Sequence, residues 1–486
     1  MKKIFSLFLI LAILSTFFTF SVSADTVYKA EGFTDFNKLF DANRATYTKS
    51  VTTATVTMTN EDLIGHVYIE FDRLPNGWKI TADGVTKECG EERFLHDYID
   101  VKSLFGSAKK SLTLEFPENT VIADIYGLPL GELPDFVQTW NAPLSEADLL
   151  LISSHSDDEQ LFFAGMLPYY AIERKLSVQV AYSVQHFAVG ASQNHVRPHE
   201  QLDGLWKVGI RNYPLMSDFP DVYSESKDRQ TAFNQAEKAF SNAGVSYDDF
   251  KSYITEVIRR CKPLVIASHD LNGEYGHGTH VFTASALCEA IELAADKTSY
   301  PESAEKYGAW RVEKTYLHLY NQNQITMDWD TPLESLGGKS PFQITQEGFG
   351  CHKSQHWTWF YAWIYGKGNK ITKASQITSY SPCEFGLYDT KVGFDSVGGD
   401  FFENVKVYSQ RRAEAEALKK AEEEARLEKE KKANEKKALT DNKKKNKTKI
   451  IWSIVLFAVA ILLIIVVIAR VSAARRKIRR RNRRTR

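Results

Sequence analysis

Apolar and polar positions alternate in short runs over the first third of the chain. Residues 52–58, 66–71, 78–82, 111–116 and 120–126 follow this pattern, broken by turn residues such as Pro75-Asn76-Gly77 and Asp83-Gly84. That spacing predicts a small β-sandwich domain over residues 25–143, either a carbohydrate-binding module or a spacer. From Asp148 the pattern changes. Residues 149–153 and 263–268 are continuous apolar runs of buried parallel-strand type, and 177–184 alternates as a further strand. Helical periodicity predicts helices over 160–174, 197–207, 229–243, 253–260 and 280–295. Strands alternating with helices imply an α/β domain over 144–408. Its expected form is a Rossmann-like, mainly parallel sheet with helices on both faces. In such sheets a ligand sits beyond the carboxyl ends of the strands. Residues 409–449 are mostly Ala, Glu, Lys, Arg and Leu, which predicts a charged helical stalk or a flexible charged linker.

The two ends carry longer apolar stretches. Met1-Lys2-Lys3 precedes an apolar run to about residue 20, and Val22-Ser23-Ala24 follows it. This fits a signal peptide over residues 1–24, with an uncleaved anchor as the alternative. Residues 450–469 hold no charge. A helix of that length crosses a hydrocarbon core, so a transmembrane helix is expected there. Residues 470–486 contain ten Lys or Arg and no acid. The expected topology is therefore a single-pass cell-membrane protein, its N-terminal part outside and its basic tail in the cytoplasm beside anionic lipid. The zero formal net charge hides this asymmetry: the tail's +10 leaves −10 on the rest. Non-specific nucleic-acid binding by the outer part is excluded on charge grounds. The five cysteines are sparse and lack C-x-x-C pairs, which speaks against a disulfide framework or a zinc ribbon and leaves room for one disulfide.

The chemistry concentrates in two loops. The first strand runs into His155-Ser156-Asp157-Asp158-Glu159, an imidazole and three acids at a strand-to-helix turn. His155 and Asp158 are three apart, so a tight turn can aim both at one point while Asp157 stays free as a base. The strand at 263–268 leads to His269-Asp270-Leu271-Asn272-Gly273-Glu274-Tyr275-Gly276-His277-Gly278-Thr279-His280. Here His280 can supply a third metal ligand, with Tyr275 and His277 beside it. His269 and Asp270 read equally as partners orienting a ligand or as strand-end caps.

These two motifs, in this order, resemble those of the PIG-L/LmbE-like zinc-dependent de-N-acetylases, over about residues 148–400. Ser156 stands where that family usually has Pro, which loosens the turn without removing a ligand. The resemblance implies zinc held by His155, Asp158 and His280. It implies Asp157 as the general base that activates the attacking water, with His277 supporting the oxyanion or protonating the leaving amine. Tyr275 polarises the carbonyl, and Arg197 of an Arg-x-x-Glu pair with Glu200 lies near the substrate. For Arg197 and Glu200 a helix-anchoring ion pair is the plain alternative. The expected activity is removal of the N-acetyl group from an N-acetylglucosamine-containing glycan or glycolipid outside the membrane. The competing expectation is a non-catalytic glycan-binding surface protein that keeps the fold. The aromatic run Trp357, Trp359, Phe360, Tyr361, Trp363 and Tyr365 reads first as core filling and second as a sugar-stacking groove. His66, His96, His186, His195, His199, His318, His352 and His356 read as surface or satisfied core residues.

Overall fold

Two sheets carry the fold in a computed structural model that describes residues 25–185 and 195–482. The expected signal peptide lies outside the described residues, as does His186. The first sheet joins β1 (Val27–Phe33), β2 (Thr48–Phe71), β3 (Trp78–Ala82), β4 (Val85–Cys89), β5 (His96–Asp100), β6 (Lys109–Phe116) and β7 (Val121–Pro129). The two expected runs at 52–58 and 66–71 are parts of one strand, β2, of 24 residues. Its first half pairs with β1 and β6, and its second half with β5 and β7. The partners change across an irregularity between Thr59 and Ile64, where Leu63 takes a φ of 68°. β4 escaped the pattern because four of its five side chains are exposed, so it lacks an apolar alternation.

The second sheet contains β8 (Leu149–Ser153), β9 (Val178–Tyr182), β10 (Leu215–Met216), β11 (Val265–Ser268), β12 (Lys314–His318), β13 (Gln324–Thr326) and β14 (Glu384–Thr390). Their order is β10-β9-β8-β11-β12-β14-β13. The first five run parallel, and β14 runs antiparallel to both β12 and β13. β8 is apolar without alternation because both of its faces are covered. Leu149 and Leu151 enter one core with Phe162, Leu202 and Phe342. Leu150 and Ile152 enter another with Phe240, Phe250 and Phe282 from helices Arg229–Asn242, Tyr247–Cys261 and Gly278–Ala295.

The helix expected over 160–174 is replaced by turns through residue 165, a short helix Met166–Pro168 and one π-turn at Tyr169–Glu173. Gly165 is the reason. It adopts a φ of +91° with Trp329 packed on its Cα, so that a Cβ would lie 2.4 Å from the indole. A left-handed residue cannot continue a right-handed helix.

The first sheet and the α/β part share a core within one compact unit ending at Tyr408. Polar contacts cross the junction. His96 Nε2 lies 2.7 Å from His199 Nδ1, and Arg44 pairs with both Glu70 and Asp203 at 2.5 Å. All five cysteines are free, so no disulfide forms. By itself, the segment from Ser409 to Asn482 continues the helix Tyr408–Asn482, with ion pairs four residues apart such as Glu428–Lys432 at 2.7 Å. This helix is long and apolar enough to cross a membrane.

Arg259 locks the C-terminal end of the helix that begins in the second loop. It is fully buried on helix Tyr247–Cys261. It donates to the carbonyls of Leu293 and Ala294, the last turn of helix Gly278–Ala295, and to those of Asp296, Ser299 and Tyr300. Replacing it removes all five of these hydrogen bonds at once. Arg259→Met is therefore expected to cost at least ~3 kcal/mol of stability. Urea unfolding followed by circular dichroism measures this, and an unchanged midpoint would contradict the assignment.

Candidate active site

Parallel neighbours β8 and β11 deliver the two loops to the same sheet edge. His155 follows β8, and His280 stands in the first turn of helix Gly278–Ala295. His155 Nδ1, Asp158 Oδ2 and His280 Nε2 form a triangle with sides of 3.2, 3.1 and 3.3 Å. All three residues are buried. Tetrahedral zinc with bonds of 2.0–2.2 Å has ligand-to-ligand edges of about 3.3 Å, so the triangle fits such a cation.

The far nitrogens of both histidines are occupied, which aims their lone pairs inward. His280 Nδ1 lies 2.6 Å from Glu274 Oε2, and His155 Nε2 lies 3.3 Å from Asp221 Oδ1. Each carboxylate holds the N–H of the far nitrogen and leaves the near nitrogen a donor to a metal. Two other nearby histidines are not so disposed. His269 accepts the Ser154 N–H at Nε2 and bonds Glu274 through Nδ1, so both nitrogens are used. His277 accepts the Thr279 N–H at Nδ1, which leaves its Nε2 carrying a proton.

Charge tells the same story. Burial pulls the His155 imidazole down, but Asp221 and Asp158 outweigh it and raise it to about 10. Burial likewise lowers His280, yet Asp158 and Glu274 lift it to about 9. Burial disfavours the Asp158 carboxylate, yet His280 and His155 hold it well below the usual carboxylate range. The triangle is a place that demands positive charge.

Asp157 is buried but stays out of the triangle. Its φ of 120° is strained for a non-glycine residue. Its N–H donates to Glu159 Oε2 at 2.9 Å, and its carbonyl accepts from Gln160 and Leu161. Arg197 Nη2 donates to the Ser156 carbonyl at 2.9 Å and sits 3.4 Å from Asp157 Oδ1. Burial raises the Asp157 carboxyl to about 7, against the pull of Arg197. The expected Arg197–Glu200 ion pair does not form: Glu200 instead accepts from the Ser354 N–H and Oγ, at 2.8 and 2.5 Å.

Tyr275 also takes a positive φ, 52°. Its ring lies 5.5 Å from His277 and 5.8 Å from His280. Burial pushes its hydroxyl upward in pKa, so it remains a donor, and burial holds His277 neutral. The glycines flanking these residues serve a close approach. A Cβ on Gly276 would lie 2.2 Å from the Ser226 carbonyl. Ser226 N–H bonds Gly276 O, and Gly278 N–H bonds Ser224 O. This docking brings the segment carrying Asp221 to His155.

Several residues of the site had no assigned role in the sequence. Glu274 lies inside the second motif but gave no sign of contacting His269, His280 and, at 2.8 Å, His318. Asp221 belongs to no motif, and only the fold brings it in. His352 is fully buried, 3.3 Å from Glu159.

Comparison with known proteins agrees with the two loops. The family model described as PIG-L, GlcNAc-PI de-N-acetylase, matches residues 150–291. The chain is similar to the 1D-myo-inositol 2-acetamido-2-deoxy-alpha-D-glucopyranoside deacetylase of Geodermatophilus obscurus, with 25% identity over 207 residues, 40% of this chain and 68% of that one. It is 37% identical over 180 residues to the enzyme of that name from Rhodococcus erythropolis, covering 35% of this chain and 59% of that one. Among solved structures, the N,N'-diacetylchitobiose deacetylase of Pyrococcus horikoshii aligns with a TM-score of 0.34 and 12% identity, over 50% of this chain and 85% of that one. Residues 150–291, which hold both loops, are a domain of the PIG-L family.

Proposed function

We propose that this chain is a zinc-dependent deacetylase that removes the N-acetyl group of an amino sugar in a glycan or glycoconjugate at the outer face of a membrane. The observation that carries the reading is the buried triangle of His155, Asp158 and His280, with the Asp157 carboxyl held beside it by a strained backbone. The curated relatives are named as deacetylases of an acetamido sugar, which supports the substrate class. Support for the location comes from the apolar helix and the basic residues that follow it.

His155, Asp158 and His280 would hold the metal. When bound, zinc lowers the pKa of water and polarises the amide carbonyl. Asp157 takes the proton from the attacking water as the oxygen bonds to the acetyl carbon. Tyr275, through its hydroxyl, and His277, through Nε2–H, stabilise the oxyanion. The C–N bond then breaks, and the amine leaves with a proton returned by Asp157 or His277. Arg197 holds Asp157 in place. The products are acetate and a free amine, so a neutral sugar becomes cationic.

Three outcomes test this. The full chain in detergent, supplied with zinc, is expected to release acetate from at least one of N-acetylated chito-oligosaccharides, peptidoglycan fragments and glucosaminyl lipids. No release from any of them, with no metal retained after dialysis, would end the proposal. Asp157→Asn is expected to keep its metal and lose ~10²- to 10⁴-fold in kcat; full turnover would remove Asp157 as the base. Glu274→Gln is expected to weaken metal binding ~10- to 100-fold in chelator competition. An unchanged affinity would show that Glu274 does not orient His280.

A further inference from the structure

The aromatic run splits into two groups. Phe360 and Trp363 pack on Phe162 at 6.0 and 5.6 Å, and Trp363 Nε1 donates to the Ser379 carbonyl. Tyr365 donates to the Gln346 carbonyl and packs on Phe349. These rings fill space, as first expected. Trp357 and Trp359 stay 83% and 47% exposed, although Trp359 also touches Phe360 at 4.3 Å. On the segment that carries Asp221, Tyr223 is 70% exposed.

Their placement gives the exposure meaning. Trp359 stands edge-on to Tyr275 at 5.5 Å, and Tyr223 stands edge-on to His277 at 5.3 Å. Tyr275 and His277 are 5.5 Å apart and both border the metal triangle. Trp359 and Tyr223 therefore flank Tyr275 and His277, the two side chains beside the triangle. Tyr223 is steadied by its hydroxyl on Glu225 at 2.5 Å, which keeps its ring available.

We infer that Trp359 and Tyr223, with Trp357 two residues ahead of Trp359 at the start of helix Trp359–Tyr365, form sugar-stacking subsites on either side of the scissile residue, so that the substrate is an oligosaccharide stretch of a glycan. This rests on the deacetylase reading above and narrows its substrate class. A pyranose presents C–H groups on its faces and hydroxyls at its rim, and an aromatic face takes up the first while the second stay in water. A membrane surface also takes up exposed tryptophan. The contacts with Tyr275 and His277 favour the sugar, because a ligand on these rings lies within reach of the site.

The test compares N-acetylglucosamine with its di- and tetrasaccharides on the full zinc-loaded chain in detergent, following acetate. kcat/KM is expected to rise at least tenfold from one sugar to four. Trp357→Ala, Trp359→Ala and Tyr223→Ala are each expected to raise KM for the tetrasaccharide at least fivefold more than for the monosaccharide. Trp357 is so exposed that its replacement leaves the fold intact, and unchanged metal content checks Trp359→Ala. Tetrasaccharide binding to the Asp157→Asn protein is expected to quench tryptophan fluorescence, and to do so less in Trp359→Ala. Acetate release with equal kcat/KM at all lengths overturns the subsites and leaves the deacetylase standing. So does wild-type chain-length dependence in all three variants, with Trp359→Ala instead losing binding to lipid vesicles. Absence of acetate from every sugar falls on the deacetylase reading itself, while quenching by the tetrasaccharide still supports the subsites.

Discussion

Asp158 is a carboxylate buried between two imidazoles, and the active edge of the sheet is arranged around that charge. Removing an ionised carboxylate from water costs several kcal/mol unless opposite charge and hydrogen bonds offset it. Asp158 Oδ2 takes the His155 N–H at 2.8 Å and faces His155 and His280. Glu274 meets the same requirement one layer out: Oε2 contacts His269 and His280, and Oε1 contacts His318. Without a cation, a proton on the imidazole pair helps offset these carboxylates. A divalent cation satisfies the same requirement with deprotonated imidazoles. The requirement for charge thus ties the loop after β8 to the loop after β11 and to the end of β12.

The same crowding separates Asp157 from its neighbours. Residues 155 to 158 occupy one turn, and a regular backbone would not place two successive carboxylates in different roles. The reversed φ at Asp157 does so, at a cost of about 1–3 kcal/mol. The surroundings hold it there. Glu159 accepts its N–H, Arg197 fixes the preceding carbonyl, and the chain beyond is turned by Gly165 against Trp329. Arg197 therefore holds Asp157 directly, and its place at the start of helix Arg197–Lys207 couples the loop to the helix that meets the first sheet through His199 and Asp203.

Much of the α/β part was legible in the sequence. The run Leu-Leu-Leu-Ile-Ser at β8 needs both faces buried, and the helices it predicted are present on both sides. The helix at 160–174 was misread because its apolar residues are buried all round a set of turns, where period carries no information about direction. β2 was read as two strands because its partner change leaves a polar stretch, Asn60-Glu61-Asp62, between two regular halves. The aromatic run was undecidable by composition. Trp357 and Trp363 are the same residue type six positions apart, one in water and one donating to Ser379.

The sequence by itself determined which side chains can do chemistry here, because His155, Asp157 and Asp158 share one turn and Tyr275, His277 and His280 share another, and local spacing places them together. It also determined the apolar stretch at 450–469, since hydropathy alone sets whether a helix suits a membrane. Only the tertiary structure decided which nitrogen of each histidine faces the triangle. That choice rests on Asp221, 66 residues after His155, and on Glu274. A hydrogen bond depends on distance and angle in space, and nothing in the order of residues records that Asp221 arrives on a segment docked against Gly276 and Gly278.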